Sequence, residues 1–114
     1  MKFIDKGPRM SQAVAGSGIV ATAGQVGAGE EGVDAQTKLI LKNIDRLLSE
    51  CNSDKSRILY ATIWLTDMAN YDLFNAVWDK WIDPGCPPAR ACVTSELAKP
   101  DWLVEVQVFA LTRD

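Results

Sequence analysis

The chain contains no histidine. That absence removes serine–histidine and cysteine–histidine nucleophile activation, histidine-dominated zinc sites and the usual general base near neutral pH. Any chemistry has to run on carboxylates, arginine, lysine, hydroxyls, thiols or backbone groups. No apolar run is long enough to cross a bilayer, and the charged opening MKFIDKGPRMSQ lacks the apolar core of a secretory signal. A cytoplasmic protein without membrane attachment is therefore expected. Cysteine is scarce: Cys51, Cys86 and Cys92 form no CxxC pair and no even set, which suits free thiols in a reducing compartment. Positive charge is not in excess either. With 12 lysines and arginines against 15 acidic residues the net charge is −3, so the chain has no broad attraction for nucleic acid or anionic lipid.

What is present fits one domain spanning residues 1–114: 47% of the residues are hydrophobic and 24% are charged, enough for a real core. No repeat, low-complexity tract or linker interrupts it. Residues 2–5, 9–16 and 18–22 read as three short strands, the third entered through a glycine-containing turn, and Gly24 to Gly32 reads as a loop. From Asp34, read as the N-cap, Leu39, Ile40, Ile44, Leu47, Leu48 and Cys51 recur at helical spacing. Ile58 to Thr66 is β-rich and apolar on both faces, as a central strand would be. A second helix with Tyr71, Phe74, Val77, Trp78, Trp81 and Ile82 on one side ends at Pro84-Gly85. Strands 89–95 and 102–111 complete the order βββαβαββ, an α+β domain with one sheet and two helices on one face.

In the last strand Val104, Val106, Val108 and Ala110 alternate with Leu103, Glu105, Gln107 and Phe109, and the valine face belongs under the helices. A short hairpin between the last two strands is expected to carry Arg90 and Cys92 onto the open face beside Glu105 and Gln107, leaving Ala89, Ala91 and Val93 toward the core. That open face is too apolar for water, and no third helix exists to cover it. Association with further copies of the chain is the expected cover. Arginine at a sheet edge is ordinarily a solvated ion-pair partner, so the chemistry rests on the surrounding motif.

The segments Thr22-Ala23-Gly24-Gln25, Ala61 to Met68 (ATIWLTDM), Pro87-Pro88-Ala89-Arg90-Ala91-Cys92-Val93 and Leu103-Val104-Glu105-Val106 resemble, in this order and spacing, the reactive-intermediate deaminase (Rid) family, also known as YjgF-like or endoribonuclease L-PSP. The resemblance covers nearly the whole chain. It implies a chorismate-mutase-like fold and a homotrimer with the open sheet face in its centre. It also implies active sites in the clefts between subunits, no cofactor and no metal. The implied reaction is hydrolytic deamination of 2-imino acids or enamines to 2-keto acids and ammonia. By the same resemblance Arg90 binds the substrate carboxylate, Glu105 positions water, and backbone groups at Gly24 and Cys92 contact the carboxylate and the reacting centre. Met10 stands where many members have a tyrosine lining the site, and Ala91 follows the arginine where serine is frequent.

A guanidinium fork matches a carboxylate bidentately, and an imine carbon is already electrophilic, so positioned water replaces strong base catalysis. Glu105 beside Arg90 is expected to stay ionised. Other readings are weaker. Gly24-Gln25-Val26-Gly27-Ala28-Gly29 lacks the Lys-Ser/Thr of a phosphate loop, Cys92 is expected to be a packed residue without thiol chemistry, and the helical aromatics read as core. A trimer that binds small carboxylates without turnover would keep Arg90, and it remains the main alternative. A ribonuclease conflicts with the charge and the missing histidine. A mutase would require several convergent cations.

Overall fold

The computed structural model describes residues 1–113. Seven strands form one sheet: β1 (Lys2–Ile4), β2 (Ala13–Gly16), β3 (Ile19–Thr22), β4 (Gln25–Val26), β5 (Ile58–Leu65), β6 (Ala89–Thr94) and β7 (Val104–Leu111). The helices α1 (Val33–Glu50) and α2 (Tyr71–Trp81) both pack on one face of it. The α+β class, the single sheet and the two helices match the sequence reading. The short strand β4 falls inside the stretch expected to be loop.

Local chemistry sets the element boundaries. Ser17 and Gly18, with φ of 53° and 79°, make the two-residue left-handed turn that suits the twist of a β2–β3 hairpin. Helix α1 starts from Gly32, whose φ of 85° suits a residue without a Cβ, and not from Asp34. Asp34 instead lies in the first turn, where its charge meets the positive end of the helix dipole. Along α1, Ile40, Leu41, Ile44, Leu47 and Leu48 are buried, and they face Phe74 and Trp78 of α2 and the strands Val104, Val106, Val108 and Ala110 of β7. The valine face of β7 does lie under the helices. Burying each such side chain contributes about 1.5–3 kcal/mol relative to exposure.

The sheet runs β1-β2-β3-β7-β5-β6, with β4 also paired to β7. All pairings are antiparallel except β5 with β6, which are parallel as a strand–helix–strand crossover through α2 requires. This overturns the expected hairpin between the last two strands. Strand β5 lies between them, because Ala61, Ile63 and Leu65 make it apolar enough to need a neighbour on both sides, while the shorter and more polar β6 can stand at the edge. The connection 95–103 is long enough to step across it.

Among the described residues, no helix covers the face of the sheet away from α1 and α2. Phe3, Ile19, Tyr60, Val93, Phe109 and Leu111 keep between 37% and 47% of their surface exposed along it. No helix among the described residues is long and apolar enough to cross a membrane.

Candidate functional site

Strand β7 carries Glu105 opposite Val26 of β4, and its side chain leaves the sheet on the open face, between buried Val104 and Val106. The carboxylate lies directly against Gly24. A Cβ added there would come within 2.7 Å of Glu105 Cδ and overlap the carboxylate oxygen, so only glycine leaves room for this placement. The segment Thr22 to Gln25 is pinned by its own polar groups. Thr22 Oγ1 accepts from the Val108 amide at 3.1 Å, the Gln107 side-chain amide donates to Thr22 O at 3.1 Å, and Gln25 Nε2 donates to Gln12 Oε1 at 2.9 Å. Glu105, Gly24, Met10, Gln12, Asn43 and Trp102 line one cavity of about 440 Å³, with Met10 half exposed at its side.

No cation faces Glu105 among the described residues. Arg46 reaches the same cavity, but it is paired with Asp5 at 2.7 Å and with Glu50. Burial alone therefore pushes the Glu105 carboxyl above the ordinary glutamate range. The expected neutralising contact from Arg90 is not made within the chain, and the direction of the shift is opposite to that expectation.

Arg90 stands on the other face. In β6 it registers with Ala61, and Ala61 registers with Val108, so all three point toward the helices. Glu105 and Gln107 alternate to the opposite face of the sheet, with β5 intervening. Ala91 registers with Thr62 and faces the open side, not the core as expected. Arg90 Nη2 donates to Asn75 Oδ1 at 2.6 Å and to Tyr71 Oη at 3.3 Å, and its guanidinium carbon lies 5.9, 5.7 and 5.3 Å from the ring centres of Tyr71, Phe74 and Trp78. Three aromatic faces and two polar groups of α2 thus hold the cation at the sheet edge. Among the described residues, Nε and Nη1 make no hydrogen bond. Cys92, two residues on, packs half-buried against the core, and burial pushes its thiol up, away from the reactive thiolate.

The structure therefore brings Glu105, Gly24 and Met10 together and keeps Arg90 and Cys92 apart from them. Sequence reasoning missed Asn75 and Tyr71, whose i, i+4 spacing on α2 was the available signal, because Tyr71 counted as core; it is 38% exposed. It also missed Gln12, Asn43 and Trp102, which carry no motif. No group of three His, Cys, Asp or Glu side chains arranged to hold a metal ion occurs among the described residues.

Comparison with known proteins agrees with this architecture. The pattern of the endoribonuclease L-PSP family matches residues 5–112. A RutC family protein of Haemophilus ducreyi is 43% identical over 109 residues, 94% of this chain and 92% of the relative. Among solved structures, a YjgF family member from Neisseria meningitidis superposes with a TM-score of 0.97 at 43% identity, covering 99% of this chain and 95% of that one. A putative translation initiation inhibitor from Salmonella typhimurium does so with a TM-score of 0.88 at 33% identity, covering 97% and 96%. The chain belongs to the endoribonuclease L-PSP family, the same YjgF-like or Rid family that its sequence motifs resemble.

Proposed function

We propose that the protein hydrolyses 2-imino acids to 2-keto acids and ammonia without a cofactor, at clefts between the subunits of a homotrimer. The observation that carries this reading is the division of the site. An arginine fixed by aromatic and amide supports (Arg90) and a desolvated carboxylate (Glu105 against Gly24) cannot meet in one chain, and each ends at a surface that a second copy can cover. The uncovered apolar face gives that second copy a place to bind.

In the composite cleft, an unoccupied N–H of Arg90, on Nε or Nη1, takes the carboxylate of an imino acid, and backbone groups near Gly24 and Cys92 contact the bound substrate. Glu105 of the neighbouring copy holds a water against the imine carbon. Water adds to the C=N bond to give a carbinolamine, whose nitrogen gains a proton and leaves as ammonia while the carbonyl forms. Positioning supplies most of the acceleration because the imine is already electrophilic. The raised pKa of Glu105 makes it a better proton acceptor than an ordinary carboxylate, so it combines water holding with a general-base share of roughly 10²-fold.

The test generates imino acids in situ with an amino-acid oxidase and follows keto-acid release against semicarbazide trapping of the imine. Wild type is expected to accelerate release. Arg90→Ala is expected to lose roughly 3 kcal/mol of transition-state stabilisation, on the order of 100-fold in kcat/KM. Carboxylate binding without acceleration in wild type would favour a regulatory, non-catalytic trimer.

A further inference from the structure

We propose that Tyr71 is a substrate contact, its hydroxyl donating a hydrogen bond to the same carboxylate that Arg90 clamps. The inference rests on the functional reading above and adds a residue that the motifs do not contain. A phenol has one donor and an acceptor oxygen. Tyr71 Oη accepts from Arg90 Nη2 at 3.3 Å, and its oxygen is also within reach of the Asn75 side chain. With its oxygen used as an acceptor from a cation and its side chain 38% exposed, the hydroxyl keeps a proton that a ligand arriving from solvent can take. Accepting from a cation polarises the O–H bond and strengthens the donor. The same contacts, Asn75 first and then Arg90, lower the phenol below its ordinary range.

Ligand geometry completes the case. Nη2 of Arg90 is occupied by Asn75 and Tyr71, which leaves the N–H groups of Nε and Nη1, one on either side of Nη2, free to donate. A carboxylate that accepts from one of these groups keeps other lone pairs available, and the phenol beside Nη2 is a donor without a second charge. Tyr71 thereby adds an anion contact at a place where the neighbouring Phe74 and Trp78 offer only ring surface. The ligand class this selects is a small 2-keto or 2-imino carboxylate, held by one guanidinium and one hydroxyl.

Pyruvate, a stable carboxylate of this class, is the probe. Its affinity is measured by calorimetry for the full-length wild type, Tyr71→Phe and Arg90→Ala. A co-crystal of wild type with pyruvate accompanies the titrations. Tyr71→Phe is expected to weaken binding on the order of 10-fold, at the low end for a hydrogen bond to a charged group, and to raise KM for imino acids similarly with kcat little changed. The co-crystal is expected to show one carboxylate oxygen within hydrogen-bond reach of Tyr71 Oη. Equal affinity in wild type and Tyr71→Phe, with binding lost in Arg90→Ala, would overturn the Tyr71 contact and leave the clamp standing. A carboxylate seated on Arg90 away from Tyr71 would do the same. No pyruvate binding by wild type would overturn both.

Discussion

The two faces of the sheet treat charge in opposite ways. On the helix side Arg90 has its cation spread over three aromatic rings and anchored by Asn75 and Tyr71, so it is held in place before any ligand arrives. On the open side Glu105 is pressed against Gly24 with no cation paired to it among the described residues, and burial raises its pKa. On the proposed reading, the first half is the anion receptor. The other carries a desolvation cost that an approaching cation or polar substrate would relieve. On the proposed reading, the difference teaches that each subunit carries two complementary parts of a site, neither sufficient alone.

Gly24→Ala attacks the Glu105 half, and it is expected to have the largest effect of the variants that leave both charges in place. The added methyl displaces the carboxylate, and kcat is expected to fall on the order of 100-fold, the cost of a misplaced catalytic group, with pyruvate affinity nearly unchanged. Steady-state kinetics beside calorimetry would show the split; a parallel loss of pyruvate binding would mean that Gly24 serves the clamp instead.

Asn75→Ala attacks the Arg90 half. Removing the 2.6 Å acceptor frees the guanidinium, and KM is expected to rise roughly 10-fold with kcat little altered, in keeping with about 1.5 kcal/mol for a hydrogen bond to a charged group. A change confined to kcat would contradict the division of labour.

The smallest effect is one of pH. Burial raises the Glu105 pKa within the chain, and on the proposed reading the substrate's carboxylate offsets the charge of Arg90, so the same direction is expected in the complex. The active, ionised form of Glu105 accumulates only as pH rises through that raised value. The acid limb of kcat is therefore expected above the ordinary glutamate range and is expected to vanish in Glu105→Gln, as pH–rate profiles of the two proteins would reveal.

Much of this was legible in the sequence. The alternation in β7 assigned Val104, Val106 and Val108 to the helices, and the helical spacings located α1 and α2 to within a few residues. The family motifs drew attention to Arg90, Glu105, Gly24, Cys92 and Met10, of which Gly24, Met10 and Glu105 share a cavity. Strand pairing was not legible. Alternation says which residues of a strand share a face but not which face it is, and here both faces accept apolar side chains. Ala89, Ala91 and Val93 therefore looked like core residues, although they lie on the open side and Arg90 and Cys92 point toward α2. That inversion hid both the role of Asn75 and Tyr71 and the separation of Arg90 from Glu105.

The central claim, that each working site takes Arg90 from one copy and Glu105 from another, is tested most directly by mixing subunits. Arg90→Ala and Glu105→Gln proteins, each nearly inactive, are unfolded together, refolded and assayed for imino-acid hydrolysis. Mixed assemblies contain clefts that pair an intact Arg90 with an intact Glu105, so activity is expected to return to a sizeable fraction of wild type. Refolding either variant alone is expected to restore none. Mixed assemblies of confirmed composition that stay as inactive as the separate variants would contradict the account.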